Sequence, residues 1–207
     1  PAKADVTALP AFEFFDNPAW AYGGGVYHIQ CDYRLMIDNL MDLTHETYVH
    51  ANSIGQPEID ETPCETQADG DHVTTSRFMD GIICHFTPPS HVMIEVGVAL
   101  AGKGGYHAPQ DSKVSSVVVD FITPETDTSM WYHWGMARQF QVQNKELTAS
   151  IREGQGKIFS EDLEMLERQQ RNLLRHPERR LLSLNIDAGG VKSRQVISRW
   201  CQQENAA

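Results

Sequence analysis

Apolar residues recur at helical intervals from Tyr33 to about Val49, where Leu35, Met36, Leu40 and Leu43 line one side and no Gly or Pro intervenes. This predicts one buried helix. Ahead of it, Val26–Cys31 alternates like a short strand, and the aromatic, Pro- and Gly-rich stretch Pro10–Gly25 reads as an irregular lead-in. The middle of the chain is strand-like over Val73–Phe78, Val92–Leu100, Val114–Ile122 and Met130–Met136. Turn residues at Gly102–Gly105 and Pro124–Thr128 separate these runs, so antiparallel pairing is predicted. From Val142 the pattern becomes helical, weakened at Gly154 and Gly156 and stopped at His176-Pro177. A last amphipathic stretch, Val191–Gln202, follows the cap-like Asp187–Gly190. A helix, a run of strands and then long helices predict an α+β fold, with helices packed on one face of an antiparallel sheet.

At 207 residues the chain is long enough for one domain with a substantial core. Its 17 Lys and Arg against 28 Asp and Glu give a net charge of -11, which argues against nucleic acid and anionic membrane surfaces as partners. The sequence has neither a run of apolar residues long enough to span a membrane nor a signal-peptide pattern in Pro1–Leu9, and an intracellular, cytoplasmic protein is expected. Cys31, Cys64, Cys84 and Cys201 are widely spaced, which indicates neither a zinc knuckle nor a disulfide framework.

Chemistry concentrates in Asn39-Leu-Met-Asp42-Leu-Thr-His45-Glu-Thr-Tyr-Val-His50. Asn39, Asp42 and His45 follow one another at three-residue steps and share a helix face. His50 lies five residues past His45, off that face, so the two imidazoles can meet one metal only if the helix ends or widens. An irregularity near Tyr48 is therefore predicted. A 2-His-1-carboxylate set would bind Fe(II) and leave positions open. Asp162 is the candidate carboxylate, because it falls on the stripe of Leu147, Ile151, Ile158, Leu166 and Leu173, where an apolar residue is expected. Glu161 and Glu164 point off that stripe and read as solvated. His28, His72, His85, His91, His107, His133 and His176 lack comparable company and read as ordinary structural residues. His45-Glu46 with His50 is one residue too long for the H-E-x-x-H of zinc proteases, and neither a G-x-S-x-G elbow nor a phosphate loop is present.

The segment Asn39–Gly55, with Phe86–Val92, Phe121–Thr126, Ile151–Gln170 and Asn185–Gly190, resembles the Rieske non-heme iron oxygenases, most closely the vanillate O-demethylase oxygenase components. The resemblance covers nearly the whole chain. It implies a helix-grip catalytic domain over residues 26–207, with iron held by His45, His50 and Asp162, and residues 1–25 as a lead-in from an N-terminal Rieske domain. Asp42 resembles the bridging carboxylate that orients His45 and links the iron to a [2Fe-2S] Rieske cluster in a neighbouring subunit of a homotrimer. Asn39 resembles the residue beside the iron that does not ligate it, and Asp120 a substrate-facing strand position. The implied activity is monooxygenation of a methoxylated aromatic acid with O2, the electrons coming from NADH through a separate flavin and iron-sulfur reductase. Cluster ligation needs C-x-H and C-x-x-H motifs, which are missing, so that domain is expected ahead of Pro1. The stretch Phe78–Thr87 is shorter than its family counterpart. The alternatives are a non-catalytic helix-grip module for a small apolar ligand and a zinc hydrolase with Glu46 as base.

Overall fold

A computed structural model describes residues 12, 14–55, 62–77, 81–99, 108–109 and 112–206. Seven strands, β1 Ala21–Ile29, β2 Glu65–Asp69, β3 His72–Arg77, β4 Ile82–Thr87, β5 His91–Ala99, β6 Lys113–Thr126 and β7 Ser129–Arg138, form one sheet. Its order is β1-β7-β6-β5-β4-β3-β2, and every neighbouring pair is antiparallel. Among the described residues four α-helices accompany it, α1 Tyr33–Met41, α2 Glu46–Val49, α3 Lys145–Arg175 and α4 Ala188–Ala206, with a 3-10 turn at Asn185–Asp187 leading into α4.

Register explains why one face of this sheet is covered. Trp134, Asp120, Val92, Phe86 and Val73 stand side by side across β7, β6, β5, β4 and β3, so their side chains leave the sheet on the same side. All five are buried. Against this row and its neighbours pack Leu35, Met36, Leu40 and Met41 of α1, Phe159 and Leu166 of α3, and Val196 and Ile197 of α4, in one continuous core. The expected α+β arrangement, helices on one face of an antiparallel sheet, is the observed one.

Several details depart from the sequence reading. The lead-in becomes regular at Ala21, because Ala21–Gly25 pair with Trp134–Arg138 and extend β1 at its start. The aromatics before it cover the opposite face: Phe12 meets Phe121 edge-on at 5.2 Å, and Phe15 meets Tyr22 at 4.9 Å. Strand β2 escaped the sequence pattern because its edge position leaves Glu65, Gln67, Ala68 and Asp69 exposed. Strand β4 was hidden because it is buried on both faces at Ile83 and Cys84, and so shows no alternation. The turn at Gly102–Gly105 lies outside the described residues, as do Phe78–Asp80 of the shortened stretch.

Candidate metal centre

The predicted helix from Tyr33 to Val49 is broken in two. Asp32 caps the start of α1 by accepting from Arg34 N, and the helix stops at Asp42, whose backbone turns extended (φ -101°, ψ 100°). The Asp42 carboxylate then accepts from Thr44 N at 2.8 Å and Thr44 Oγ1 at 2.6 Å, the side-chain turn by which Asp competes with helix continuation. The chain restarts as α2 with His45 at its N-terminal boundary and His50 at its C-terminal one. The helix does end close to Tyr48, at Val49, as predicted, and it is also interrupted earlier, at Asp42–His45. Both imidazoles leave from ends of a four-residue helix, which frees them from the 3.6-residue period and lets them converge.

Asp162 arrives from the middle of α3. That helix buries Phe159, Asp162, Leu166 and Gln170, while Leu147, Ile151, Ile158 and Leu173 of the predicted stripe are only half-buried. The buried line is thus shifted by one residue toward Phe159, with Asp162 still on it. Asp162 Oδ2 lies 3.4 Å from His50 Nε2 and Oδ1 lies 3.7 Å from His45 Nε2. One ligand atom from each of the three residues lies within 4.8 Å of the others. Among the described residues this is the one group of three such side chains with that spacing.

The surroundings hold these groups in place. Asn39 Nδ2 donates to Asp162 Oδ1 at 3.1 Å, so Asn39 grips the carboxylate. His45 Nδ1 meets the main-chain carbonyl of Asp42, which leaves Nε2 facing Asp162. The expected orienting contact is present, but the peptide of Asp42 makes it and the Asp42 carboxylate does not. His50 Nδ1 meets Glu161 Oε2 at 2.8 Å, and Ser53 Oγ donates to the same oxygen at 2.8 Å. Glu161 is therefore not a solvated bystander, as read from its place off the stripe. It reaches sideways to α2, a contact that periodicity along α3 cannot show. A carboxylate on the far nitrogen fixes the tautomer and leaves Nε2 with its lone pair free, the usual setting of a ligand histidine.

The site favours positive charge. Burial opposes the imidazolium of His50, yet Asp162 and then Glu161 outweigh it and raise the His50 pKa. Burial likewise works to raise the carboxyl of Glu161, but hydrogen bonds from His50 and Ser53 lower it. Two nearly buried donors, His50 at 3 % and Asp162 at 2 % exposure, with a carboxylate behind the first, suit a divalent cation with nitrogen and oxygen ligands. The residues present fit such an ion. Beside His45 and Asp42 a cleft of about 840 Å3 opens between α1, α3 and α4, with Leu181 and Leu182 exposed at its edge.

On the sheet side stands Asp120, fully buried, its Oδ1 accepting from the Tyr132 hydroxyl at 2.8 Å. Burial pushes its carboxyl up to about 8, partly opposed by that hydrogen bond. Tyr132 also packs edge-on against Phe159 (5.5 Å between centroids), one turn before Asp162 on α3. Of the histidines read as structural, His28 pairs with Glu125 and His85 with Glu95, away from the centre.

The profile of the vanillate O-demethylase oxygenase C-terminal domain matches residues 29–83 and 81–203. A vanillate O-demethylase oxygenase subunit of Pseudomonas sp. (strain ATCC 19151) is 64% identical over 231 aligned positions, which take in all of this chain and 70% of the relative. A second, from Pseudomonas sp. (strain HR199 / DSM 7063), is 62% identical over 99% of this chain and 65% of its own length. The chain thus spans about two thirds of the relatives it matches. The crystal structure of dicamba monooxygenase bound to dicamba is similar across 100% of this chain and 66% of that one, with a TM-score of 0.86 at 26% identity.

Proposed function

This chain belongs to the family of vanillate O-demethylase oxygenase C-terminal domains, and from that premise we propose that it is the catalytic domain of an aromatic O-demethylase, with one ferrous ion held by His45, His50 and Asp162. The substrate is a methoxylated aromatic acid, vanillate by the relatives' names, and the products are protocatechuate and formaldehyde. The observation that carries this reading is the convergence of two imidazoles and one carboxylate from elements more than a hundred residues apart. When bound, iron supplies the activation of dioxygen by which the methoxy carbon is hydroxylated and then lost as formaldehyde, with electrons from NADH delivered through a separate reductase.

The chain's own residues do the remaining work. His45, His50 and Asp162 would hold the ion through two imidazole nitrogens and one carboxylate. Asn39 and Glu161 hold the carboxylate and the His50 ring in their orientations. The apolar surroundings, Phe159, Leu166 and the core face of the sheet, keep bulk water from the reacting methyl group. Asp42 sits at the cleft beside His45, where it serves electron entry from a Rieske cluster outside these 207 residues, carried by a neighbouring subunit of a homotrimer. Exposed Leu181 and Leu182 suit coverage by that neighbour.

Anaerobic loading with Fe(II), followed by desalting and metal analysis, tests the reading. About one iron per chain is expected in the parent protein, and only a small fraction of that after His50→Ala or Asp162→Ala. Equal retention by all three proteins would remove the assignment.

A further inference from the structure

Arg77, the last residue of β3, is a charged side chain in an apolar place. It leaves the strand on the same side as Val73 and Thr75, toward the helices, and is 1 % exposed. A guanidinium keeps its charge at any working pH, so one is tolerated in the interior where its donors meet acceptors. Here Nη2 donates to the main-chain carbonyl of Leu43 at 2.5 Å, 34 residues back in the chain. Leu43 lies between Asp42 and His45, inside the break that separates α1 from α2, and its own side chain is buried.

That break takes its shape from short-range bonds. Thr44 N and Oγ1 donate to the Asp42 carboxylate, and His45 Nδ1 meets the Asp42 carbonyl. These bonds span two or three residues, so they set the internal geometry of the turn and not its place in the molecule. The Arg77 contact ties the same turn to the sheet. From another side α4 closes on the last turn of α1, where a Cβ on Gly189 would come within 2.7 Å of the Met41 carbonyl and closer still to Thr75 Oγ1, on the strand face that carries Arg77.

We propose that Arg77 is a positioning residue of the metal centre, holding the Leu43 carbonyl and with it the turn from which His45 faces Asp162. This rests on the metal-binding reading above. A bond from a cation to a buried carbonyl is stronger than one between neutral groups, and the planar guanidinium fixes its direction. Without that donor the carbonyl turns toward other partners, and His45 Nε2 shifts relative to His50 and Asp162 although no ligand has been changed.

The test uses Co(II), whose visible absorption bands report ligand geometry, with affinity read by chelator competition and the stability of the metal-free chain by urea unfolding. Arg77→Met removes the donors and keeps an apolar stem, Arg77→Lys restores a single cationic donor, and Val73→Ala, on the same face of the same strand, controls for lost stability. Arg77→Met is expected to bind Co(II) about tenfold more weakly with shifted bands, and Arg77→Lys to lie between it and the parent. Val73→Ala is expected to unfold at lower urea with the parent's affinity and bands. Parent-like affinity and bands in Arg77→Met, or the same change in Val73→Ala, overturn the proposal and leave the metal-binding reading standing. Should Arg77→Met fail to fold, nitrogen-15 spectra of the parent decide. The guanidinium N–H signals of Arg77, identified by their loss in Arg77→Lys, are expected to shift and to exchange with solvent several-fold more slowly on Zn(II) loading, and signals indifferent to the metal overturn the proposal. A parent chain that binds no Co(II), or binds it equally after His50→Ala, overturns the metal-binding reading and this assignment with it.

Discussion

Glu161 and Asp162 are consecutive on α3 yet do different work. Asp162 faces the two Nε2 atoms, and Glu161 reaches the far nitrogen of His50. Removing a carboxylate from behind a ligand imidazole weakens metal binding without removing a ligand. Glu161→Ala is therefore expected to lower affinity for Fe(II) or Co(II) about 10- to 100-fold in a chelator competition, far less than Asp162→Ala. Asp120 makes a prediction about pH. Its folded pKa of about 8 lies above the ordinary 3.8, so between those values the native state holds a proton that the unfolded chain releases. Its contribution to stability is full below the unfolded value, declines as pH rises, and is lost by about pH 8. The groups that face it, Tyr132 from β7 and Cys84 from β4, are pushed up by burial and stay uncharged in that window. Asp120→Asn should flatten the decline, by up to about 1.4 kcal/mol per pH unit, in urea unfolding followed from about pH 5 to pH 8.

At the scale of elements, α3 contains two glycines that call for opposite treatment. A Cβ on Gly156 would come within 3.3 Å of Trp134 Cζ2 and Tyr27 Oη, at the point where Tyr27 donates to the Gly156 carbonyl at 2.8 Å. A Cβ on Gly154 would meet nothing within 4 Å. Gly154→Ala should stabilise the protein by about 0.5–1 kcal/mol through helix propensity, and Gly156→Ala should destabilise it by about 1–3 kcal/mol by forcing the helix off β1 and β7. Chemical denaturation distinguishes the two. From the sequence both glycines look like the same weakness in a helix, because what separates them is the sheet surface opposite. The same limit governs the rest. The sequence pattern revealed β3, β5, β6 and β7, whose positions alternate or form long β-branched runs, and it revealed α3 and the anomaly of Asp162. It concealed β2, an exposed edge, and β4, buried on both sides. The break at Asp42 depends on a side-chain bond to Thr44 that has no period, and the Glu161 contact depends on how α2 lies against α3.

For the whole molecule, the candidate centre has a cleft at Asp42 and His45 on one side and the buried pair Asp120 and Tyr132 on the sheet side. In the intact oxygenase, Asp42→Asn should keep its iron yet lose most NADH-driven turnover, as measured by formaldehyde release with metal content determined on the same sample. Normal turnover would take Asp42 out of the electron route. Strands β2 to β7 lie between the early and late halves of the centre in the chain, since His50 and Glu161 are 111 residues apart and Asn39 and Asp162 are 123. A cation bound by that triad would therefore act as a reversible crosslink across most of the polypeptide, tying a four-residue helix that could not persist alone to the 31-residue α3. Metal loading should slow amide exchange in α2 and in the middle of α3, while the β4–β5 hairpin keeps its rate. The ion would then be a latch that sets how often the two ends of the fold part.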